Sequence, residues 1–329
     1  MHDLTDAESQ ECVWAVAHVP AASHSWAMCT FDKHLDSWVS RKIQENGCFE
    51  CGSLNSMLVL LQAHWHAQHT SRRDCRKNGP TSAHAISSGP LLVDVGSNIG
   101  MYALAAAASC FEAIAFEPVP INAHKMITSA RLNNFSGRLH VYTVGASDAY
   151  SFFDMGFSAD NQGEATHTPR IATASSSSSA NPGLVAIPMA PLSSVLPRQP
   201  PDRPVFVKMD LEGGECRALR GMRAFLRRSR IAGLMVETGH ALTRSCCSEL
   251  MAPDLGAFSI LHRRHGLCPR AHFASRAHEM EVETLCQRSA KDWPWEMVWL
   301  PCNETRLHRL MRRNQTSQRH VHVFASESQ

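Results

Sequence analysis

Two carboxylates and a glycine turn are the residues of this chain that first indicate a ligand-binding site. The apolar run Leu91–Val95 contains Asp94 and is followed by Gly96 and Gly100, and Glu117 comes seventeen residues after Gly100. An acidic residue at the carboxyl end of a buried strand can accept hydrogen bonds from an ammonium group, and one at the end of the next strand can accept them from two hydroxyls. The spacing predicts a site for a cationic ligand rich in hydroxyl groups.

The glycine spacing distinguishes two kinds of nucleotide ligand. A dinucleotide pyrophosphate favours G-x-G-x-x-G, whereas Ser97, Asn98 and Ile99 separate the two glycines here. S-adenosyl-L-methionine has no phosphate, so Gly96 would serve to let the turn pass close under the ligand, and the following helix amides could face its carboxylate. We therefore predict this cofactor, bound by Asp94, Gly96, Asn98, Gly100, Glu117 and Pro118. The alternative is an ordinary turn of a doubly wound domain, in which Asp94 only caps the helix.

A second acidic segment, K-M-D-L-E-G-G-E at 208–215, follows the predicted fourth core strand. Methyl transfer is an in-line displacement, so the protein must orient the acceptor and remove a proton. Asp210 or Glu212 is predicted to be that base or to orient substrate hydroxyls, and Glu237, after the next strand, is a third candidate. Alternatively, Glu212 caps the following helix, Glu215 pairs with an arginine, and Asp210 alone faces the pocket. A metal bridged by Asp210 and Glu212 has no supporting histidine nearby, so no metal is predicted.

Two further segments bear on the ligand. Ala146 and Asp148, in Gly-Ala-Ser-Asp at 145–148, are predicted at the adenine edge of the cofactor, although a plain turn is the alternative. Enzymes that methylate base amines often carry Asn or Asp, two prolines and an aromatic residue after the fourth strand. The sequence at 210–213 lacks that platform, which disfavours base methylation.

Alternating strand and helix patterns surround these segments. Strands are predicted at Leu91–Val95, Ala113–Phe116, Leu139–Val144, Val205–Asp210 and Ile231–Val236, and helices at Ile99–Ser109, Asn122–Leu132 and about 214–228. Phe258–Leu261 and Glu296–Leu300 are predicted to form a closing antiparallel pair. The order predicts an α/β, Rossmann-like class I methyltransferase fold, with a doubly wound, mostly parallel seven-stranded sheet.

The flanking segments predict a domain organisation. Residues 1–34 are expected to be loosely structured, and 35–90 to form a helical extension and linker. Gly47 would end the first helix of that extension and Ser53 would cap the second. The methyltransferase domain is expected at 91–305, with a Ser/Pro-rich insertion at about 156–204 that contains the homopolymer Ser175–Ser179, and a basic polar tail at 306–329.

Composition narrows the functional class. A net charge of +2 over 329 residues gives no general argument for binding nucleic acid. No apolar run approaches the length of a membrane span and the acidic first residues do not resemble a signal peptide, so a cytoplasmic, intracellular protein is expected. The C-x-x-C pair Cys48 and Cys51, and the adjacent Cys246 and Cys247, are then expected to be reduced thiols. Three N-x-[ST] sequons, at Asn134, Asn303 and Asn314, would matter only in a secreted protein.

Together, the motifs resemble the FkbM family of S-adenosylmethionine-dependent methyltransferases. The similar pieces are D-V-G-S-N-I-G at 94–100, F-E-P at 116–118 with Asn122, G-A-S-D at 145–148, K-M-D-L-E-G-G-E at 208–215 and Glu237. The family usually has alanine at the position of Ser97. The resemblance implies O-methylation of a hydroxyl on a sugar, glycan or small metabolite. Rival hypotheses are a non-catalytic nucleoside-binding or scaffold protein and a nicotinamide oxidoreductase, and the sequence leaves the acceptor and the oligomeric state open.

Overall fold

The computed structural model describes residues 12–65, 89–158, 161–168, 184–238, 246–253, 256–271, 286 and 296–302. The strands in these ranges are β1 (Val13–Ala17), β2 (Trp26–Thr30), β3 (Leu91–Val95), β4 (Glu112–Phe116), β5 (Leu139–Tyr142), β6 (Gly145–Ser147), β7 (Ser151–Ser158), β8 (Asn161–Thr168), β9 (Leu184–Pro191), β10 (Pro204–Met209), β11 (Arg230–Glu237), β12 (Leu267–Ala271) and β13 (Glu296–Pro301). The helices are α1 (Val39–Asn46), α2 (Cys51–Trp65), α3 (Met101–Ala108), α4 (Pro120–Leu132), α5 (Leu192–Val195), α6 (Glu215–Arg228), α7 (Cys247–Leu250) and α8 (Ala257–His265). None of these helices is long and apolar enough to cross a membrane.

Seven of the described strands form one sheet, in the order β12-β13-β11-β10-β3-β4-β5. The strands from β11 to β5 are mutually parallel, and β13 runs antiparallel to both of its neighbours. The chain goes from β3 towards β4 on one side and later places β10 on the other side of β3. This reversal opens a crevice at the carboxyl ends of β3 and β10, where ligands bind in open α/β sheets.

Helices cover both faces of the sheet, which explains why its central strands are apolar throughout. All five residues of β3 and all six of β10 are buried. On one face, Leu92 and Phe206 pack with α2, α3 and the β1–β2 hairpin; on the other, Val93 and Val207 pack with α6 and α8. The predicted Rossmann-like α/β fold is confirmed.

One predicted strand is wrong. Phe258–Leu261 lies in α8, which ends at Gly266 with a φ of 64°, and the partner of β13 is β12. A run of four apolar residues does not by its periodicity distinguish a strand from a buried helix segment. The glycine that ends the helix sits immediately before Leu267, where the actual strand begins.

The N-terminal segment is more ordered than predicted. Residues 13–30 are not loosely structured but form the antiparallel β1–β2 hairpin, whose Trp26 and Met28 are buried in the core. The side chain of Asn133, at the end of α4, bonds both the amide (2.9 Å) and the carbonyl (2.7 Å) of Ala27. Two helices follow as predicted, and Gly47 ends α1 with a φ of 76°. Ser53, however, lies inside α2 and donates to Glu296 (2.8 Å).

The predicted insertion includes regular structure. Strands β7, β8 and β9 join β6 in a separate four-stranded sheet, ordered β6-β9-β7-β8. The sequence of β8 has almost no apolar residues, so it lacks the alternation of apolar and polar residues that predicts a strand. The homopolymer Ser175–Ser179 and the basic tail at 306–329 lie outside the described residues.

The prediction of reduced thiols is wrong. Disulfides join Cys12 to Cys29, Cys48 to Cys51, Cys216 to Cys246, Cys247 to Cys286, and Cys268 to Cys302. The expectation depended on the presumed compartment and on irregular spacing, and spacing alone does not show which cysteines meet in the fold.

Candidate cofactor and acceptor site

Asp94 is fully buried at the end of β3. Its Oδ2 accepts a hydrogen bond from the Ala103 amide in the first turn of α3 (3.1 Å), so the helix-capping alternative is correct for one oxygen. Its Oδ1 has no hydrogen-bond partner among the described residues and lies 3.9 Å from the ammonium of Lys208. Burial raises the pKa of Asp94 to about 6. The second oxygen therefore remains available to a ligand's donor.

The loop after β3 is bound to the end of β4. The amides of Gly96 and Ser97 both donate to the Phe116 carbonyl, at 3.0 and 3.1 Å, and the Asn98 amide donates to Oε2 of Glu117 (2.8 Å). Asn98 has a φ of 51°, and Gly100 a φ of 88° at the start of α3. These contacts bring the predicted cofactor residues of two neighbouring strands together.

Glu117 is almost completely buried, beside the buried Pro118. Its Oε1 accepts from the Val119 amide (2.9 Å) and is 3.4 Å from Nδ2 of Asn122. Its Oε2 has one described donor, the Asn98 amide, and a carboxylate oxygen has room for a second. Burial raises the pKa of Glu117 to about 7. The carboxylate is thus held in one orientation with acceptor capacity left for a hydroxyl.

Lys208 connects the predicted cofactor residues after β3 and β4 with the acidic segment after β10. Its ammonium is 3.2 Å from Oδ2 of Asp210 and donates to the Gly96 carbonyl (3.2 Å), and it lies 5.2 Å from the ring centroid of Tyr102. Burial by itself lowers the pKa of Lys208, but the charges of Asp210, Asp94 and Glu50 raise it above its ordinary value. The same ammonium lowers the pKa of both Asp94 and Glu117, so these two carboxylates border the same region.

The loop after β3 and the acidic segment after β10 also contact each other through their backbones. A Cβ atom added to Gly96, whose φ is 78°, would lie 1.8 Å from the carbonyl oxygen of Asp210, and the Asp210 amide donates to the Val95 carbonyl (3.0 Å). The glycine is therefore required by the chain after β10, whereas the sequence suggested that the ligand requires it.

Within the acidic segment after β10, one glutamate stabilises the turn and other carboxylates belong to the candidate site. Oε1 of the fully buried Glu215 accepts from the amides of Leu211 (2.8 Å) and Gly213 (3.3 Å), so Glu215, rather than Glu212, holds the turn. Glu212 is exposed and has a φ of 51°. The oxygens of Asp210, Glu212 and Glu237 all lie within 4.8 Å of one another. The three predicted catalytic carboxylates are thus together, and their spacing could also accommodate a metal ion.

The closeness of Asp210 and Glu237 determines which of the two carboxylates carries a proton. Burial raises the pKa of Glu237 to about 10, with further contributions from the charge of Asp210 and a hydrogen bond to it. Because Lys208 is ion-paired with Asp210, the negative charge is favoured on Asp210 and the proton on Glu237. At neutral pH, Asp210 is the member of the pair able to accept a proton.

Two acidic residues of the site were missed by the sequence reasoning. Glu50, just before α2, accepts a hydrogen bond from the Tyr102 hydroxyl (3.0 Å). Glu296 is the cross-strand neighbour of Glu237. Burial raises the pKa of Glu50 to about 7 even though its side chain is exposed, and Asp210 and Glu296 act in the same direction. Nothing in the local sequence linked either residue to the motifs.

The predicted adenine-edge residues lie in β6 and just after it. Ala146 is buried and pairs with Ala190 of β9. Asp148 is 3.5 Å from Arg220 of α6, which is also bound to Glu249. These contacts place Asp148 in a surface ion network, and its contact with adenine stays a prediction.

The residues fit S-adenosylmethionine better than a dinucleotide. Asp94 offers a buried oxygen for an amino group, Glu117 offers acceptor capacity for ribose hydroxyls, and the surrounding carboxylates favour a sulfonium cation. The same carboxylates would repel a pyrophosphate.

A model of the methyltransferase FkbM domain matches residues 94–261, just over half of the chain. The chain belongs to the FkbM methyltransferase family. Family membership confirms the predicted resemblance and, with it, S-adenosylmethionine as the cofactor. The match begins at Asp94 and ends at Leu261, so Glu50 and Glu296 are supplied by segments outside the matched region.

Solved structures show a more distant similarity to this FkbM chain. Methyltransferase FkbM from Methylobacillus flagellatus KT is 19% identical, with a TM-score of 0.38 over 75% of this chain and 54% of that one. The C-terminal domain of precorrin-6Y C5,15-methyltransferase from Rhodobacter capsulatus is 11% identical (TM-score 0.31, 72% and 91% covered). The N-terminal domain of human METTL16, in complex with SAH, is also 11% identical (TM-score 0.34, 75% and 69% covered). This chain spans about half of the Methylobacillus protein. No match was found among curated proteins.

Proposed function

We propose that this chain is an S-adenosylmethionine-dependent O-methyltransferase that acts on a hydroxyl of a sugar, glycan or small metabolite. The observation that carries the proposal is the acidic group formed by Glu50, Asp210, Glu212, Glu237 and Glu296 beside the cofactor residues. Carboxylates accept hydrogen bonds from hydroxyls and can accept the proton that a hydroxyl loses on methylation.

The residues divide into two functions. Asp94 and Glu117, with the loop of Gly96, Asn98 and Gly100, hold the cofactor, which supplies an electrophilic methyl group when bound. The acidic group orients the acceptor and takes its proton. Two of its members are suited to accepting that proton. One is Asp210, which Lys208 keeps ionised (3.2 Å), and the other is the solvent-accessible Glu50, whose pKa of about 7 suits proton transfer at neutral pH.

Binding and turnover test the proposal separately. Titration calorimetry should show binding of S-adenosylmethionine and S-adenosylhomocysteine, with NAD much weaker. Incubation of cell extract with a methyl-labelled donor, followed by separation into glycan, lipid, protein and nucleic-acid pools, should place the label in hydroxyl-bearing molecules as methyl ethers, which resist mild base. Cofactor binding without label in any pool would instead favour the non-catalytic scaffold, and label in nucleobases would contradict O-methylation.

A matched pair of variants tests the acidic group. Glu50→Gln should lower kcat by about 10²-fold or more if Glu50 is the base, and should remove a rise in rate through pH 7. Glu45→Gln is the control, because Glu45 pairs with Arg41 on the exposed side of α1. Equal activity of both variants over the whole pH range would exclude Glu50 and leave Asp210, tested by Asp210→Asn.

A further inference from the structure

The disulfides connect elements throughout the described part of the chain. They link the start of β1 to β2, close the turn before α2, and tie α6 to the segment that precedes α7. A fourth links α7 to Cys286, and a fifth joins β12 to the end of β13. Cys110 is also disulfide-bonded, and no described cysteine is free.

Complete pairing indicates the environment in which the chain folds. In a reducing cytosol structural disulfides are rare, and buried cysteines act as small apolar side chains that need no partner. Here cysteines distant in sequence, such as Cys247 and Cys286, meet at bonding distance. If cysteines were placed in a fold without regard to pairing, most of them would have no second cysteine within bonding distance. The arrangement fits a chain oxidised during folding.

The sequon Asn134-Phe135-Ser136 provides an independent observation. Asn134 and Ser136 are exposed, whereas Phe135 between them is buried. The turn is fixed on both sides: the Asn134 amide donates to the Arg131 carbonyl (3.1 Å) and the Phe135 amide to Ala130 (2.7 Å). The acceptor asparagine thus faces solvent, and N-glycosylation requires such a surface location.

The position of this turn keeps a glycan away from the site. It connects α4 to the beginning of β5, at the amino ends of the parallel strands. The cofactor and acceptor residues lie at the carboxyl ends, on the opposite edge of the sheet. A bulky modification at Asn134 therefore leaves the site open.

We propose that the chain enters the lumen of the secretory pathway, where its cysteines are oxidised and Asn134 receives an N-linked glycan. This location replaces the expected cytoplasmic one and does not depend on the proposed reaction. Each cysteine pair loses two electrons and two protons to a disulfide of the folding machinery. In glycosylation, Nδ2 of Asn134 bonds to the anomeric carbon of the oligosaccharide, the lipid pyrophosphate leaves with the electrons of the broken bond, and Nδ2 loses one proton.

The test compares the chain produced behind a cleavable secretion leader with the chain produced in a reducing cytosol. In the secreted protein, the tryptic peptide 132–138 should carry a glycan that peptide N-glycosidase removes, leaving aspartate at position 134. Thiol alkylation of the denatured, unreduced protein should label none of the described cysteines. The cytosolic protein should be less soluble and unfold at lower urea concentration.

Matched variants keep the glycan test independent of folding. Ser136→Ala should abolish the modification of that peptide and Ser136→Thr should retain it, and both leave Asn134 and its turn unchanged. In the organism of origin, a tagged copy should resist protease in isolated membrane vesicles until detergent is added. An unmodified 132–138 peptide in the secreted protein, free thiols at the paired positions, or protease sensitivity before detergent would each overturn the proposal.

Discussion

Replacing Gly96 by alanine tests the contact that joins the two halves of the site. At a φ of 78°, a side chain costs about 1–2 kcal/mol of backbone strain. The new Cβ would also lie 1.8 Å from the Asp210 carbonyl oxygen, whereas an ordinary contact begins at about 3.5 Å. The backbone of either Gly96 or Asp210 must therefore move, at a further cost of about 1–3 kcal/mol. We expect Gly96→Ala to lower the free energy of unfolding by about 2–5 kcal/mol.

Gly266→Ala provides the control for this measurement. Gly266 has a φ of 64° with nothing within 4 Å of its added Cβ, so only the strain of about 1–2 kcal/mol remains. Urea unfolding followed by circular dichroism, on oxidised protein, should show Gly96→Ala as clearly the less stable variant. Titration calorimetry should show weaker S-adenosylmethionine binding for Gly96→Ala alone. Equal destabilisation by the two substitutions would refute the close approach of the Asp210 backbone.

Three further predictions concern single interactions. Glu117→Ala should weaken S-adenosylmethionine binding about 10-fold or more in calorimetry, since hydrogen bonds to a charged group contribute about 1.5–3 kcal/mol; unchanged affinity would remove Glu117 from the site. The pKa of Glu237 is raised from 4.5 to about 10, so its protonated form stabilises the fold below the lower value and that stability is lost as pH rises towards the higher one. The urea midpoint should therefore fall with increasing pH in the wild type and fall less in Glu237→Gln, and parallel curves would contradict this. Replacing both Cys216 and Cys246 by serine should lower the free energy of unfolding by about 3–4 kcal/mol through loop entropy, measured by urea unfolding in the absence of reductant; no change would mean that the bond does not form.

The sheet and the cofactor half of the site could be predicted from the sequence. Strand β3 is a continuous apolar run that ends in an acidic residue and a glycine, and Glu117 follows the next strand at the expected interval. Local patterns reveal these features, because burial on both faces of the sheet dictates apolar strands and the positive φ of the turn after β3 favours glycine. Their spatial proximity then follows from parallel strand order.

Glu50 and Glu296 of the acceptor half could not be predicted, because segments far apart in the sequence bring them to the site. Ser53 of α2 donates to Glu296, which is 243 positions away. No periodicity or motif encodes that contact. The N-terminal hairpin was missed for a similar reason, since its register is stabilised by Ser129 in α4 and by Asn133 just after that helix, rather than by a strong turn signal of its own.

The excess of carboxylates around Lys208 affects how the site distinguishes the methyl donor from the demethylated product. S-adenosylmethionine carries a sulfonium charge that S-adenosylhomocysteine lacks, while the rest of the two molecules is nearly the same. Negative potential from Glu50, Asp210 and their acidic neighbours attracts the sulfonium of S-adenosylmethionine and interacts only weakly with the neutral sulfur of S-adenosylhomocysteine. Product inhibition should accordingly be weak at low ionic strength and grow relative to donor binding as salt screens the field.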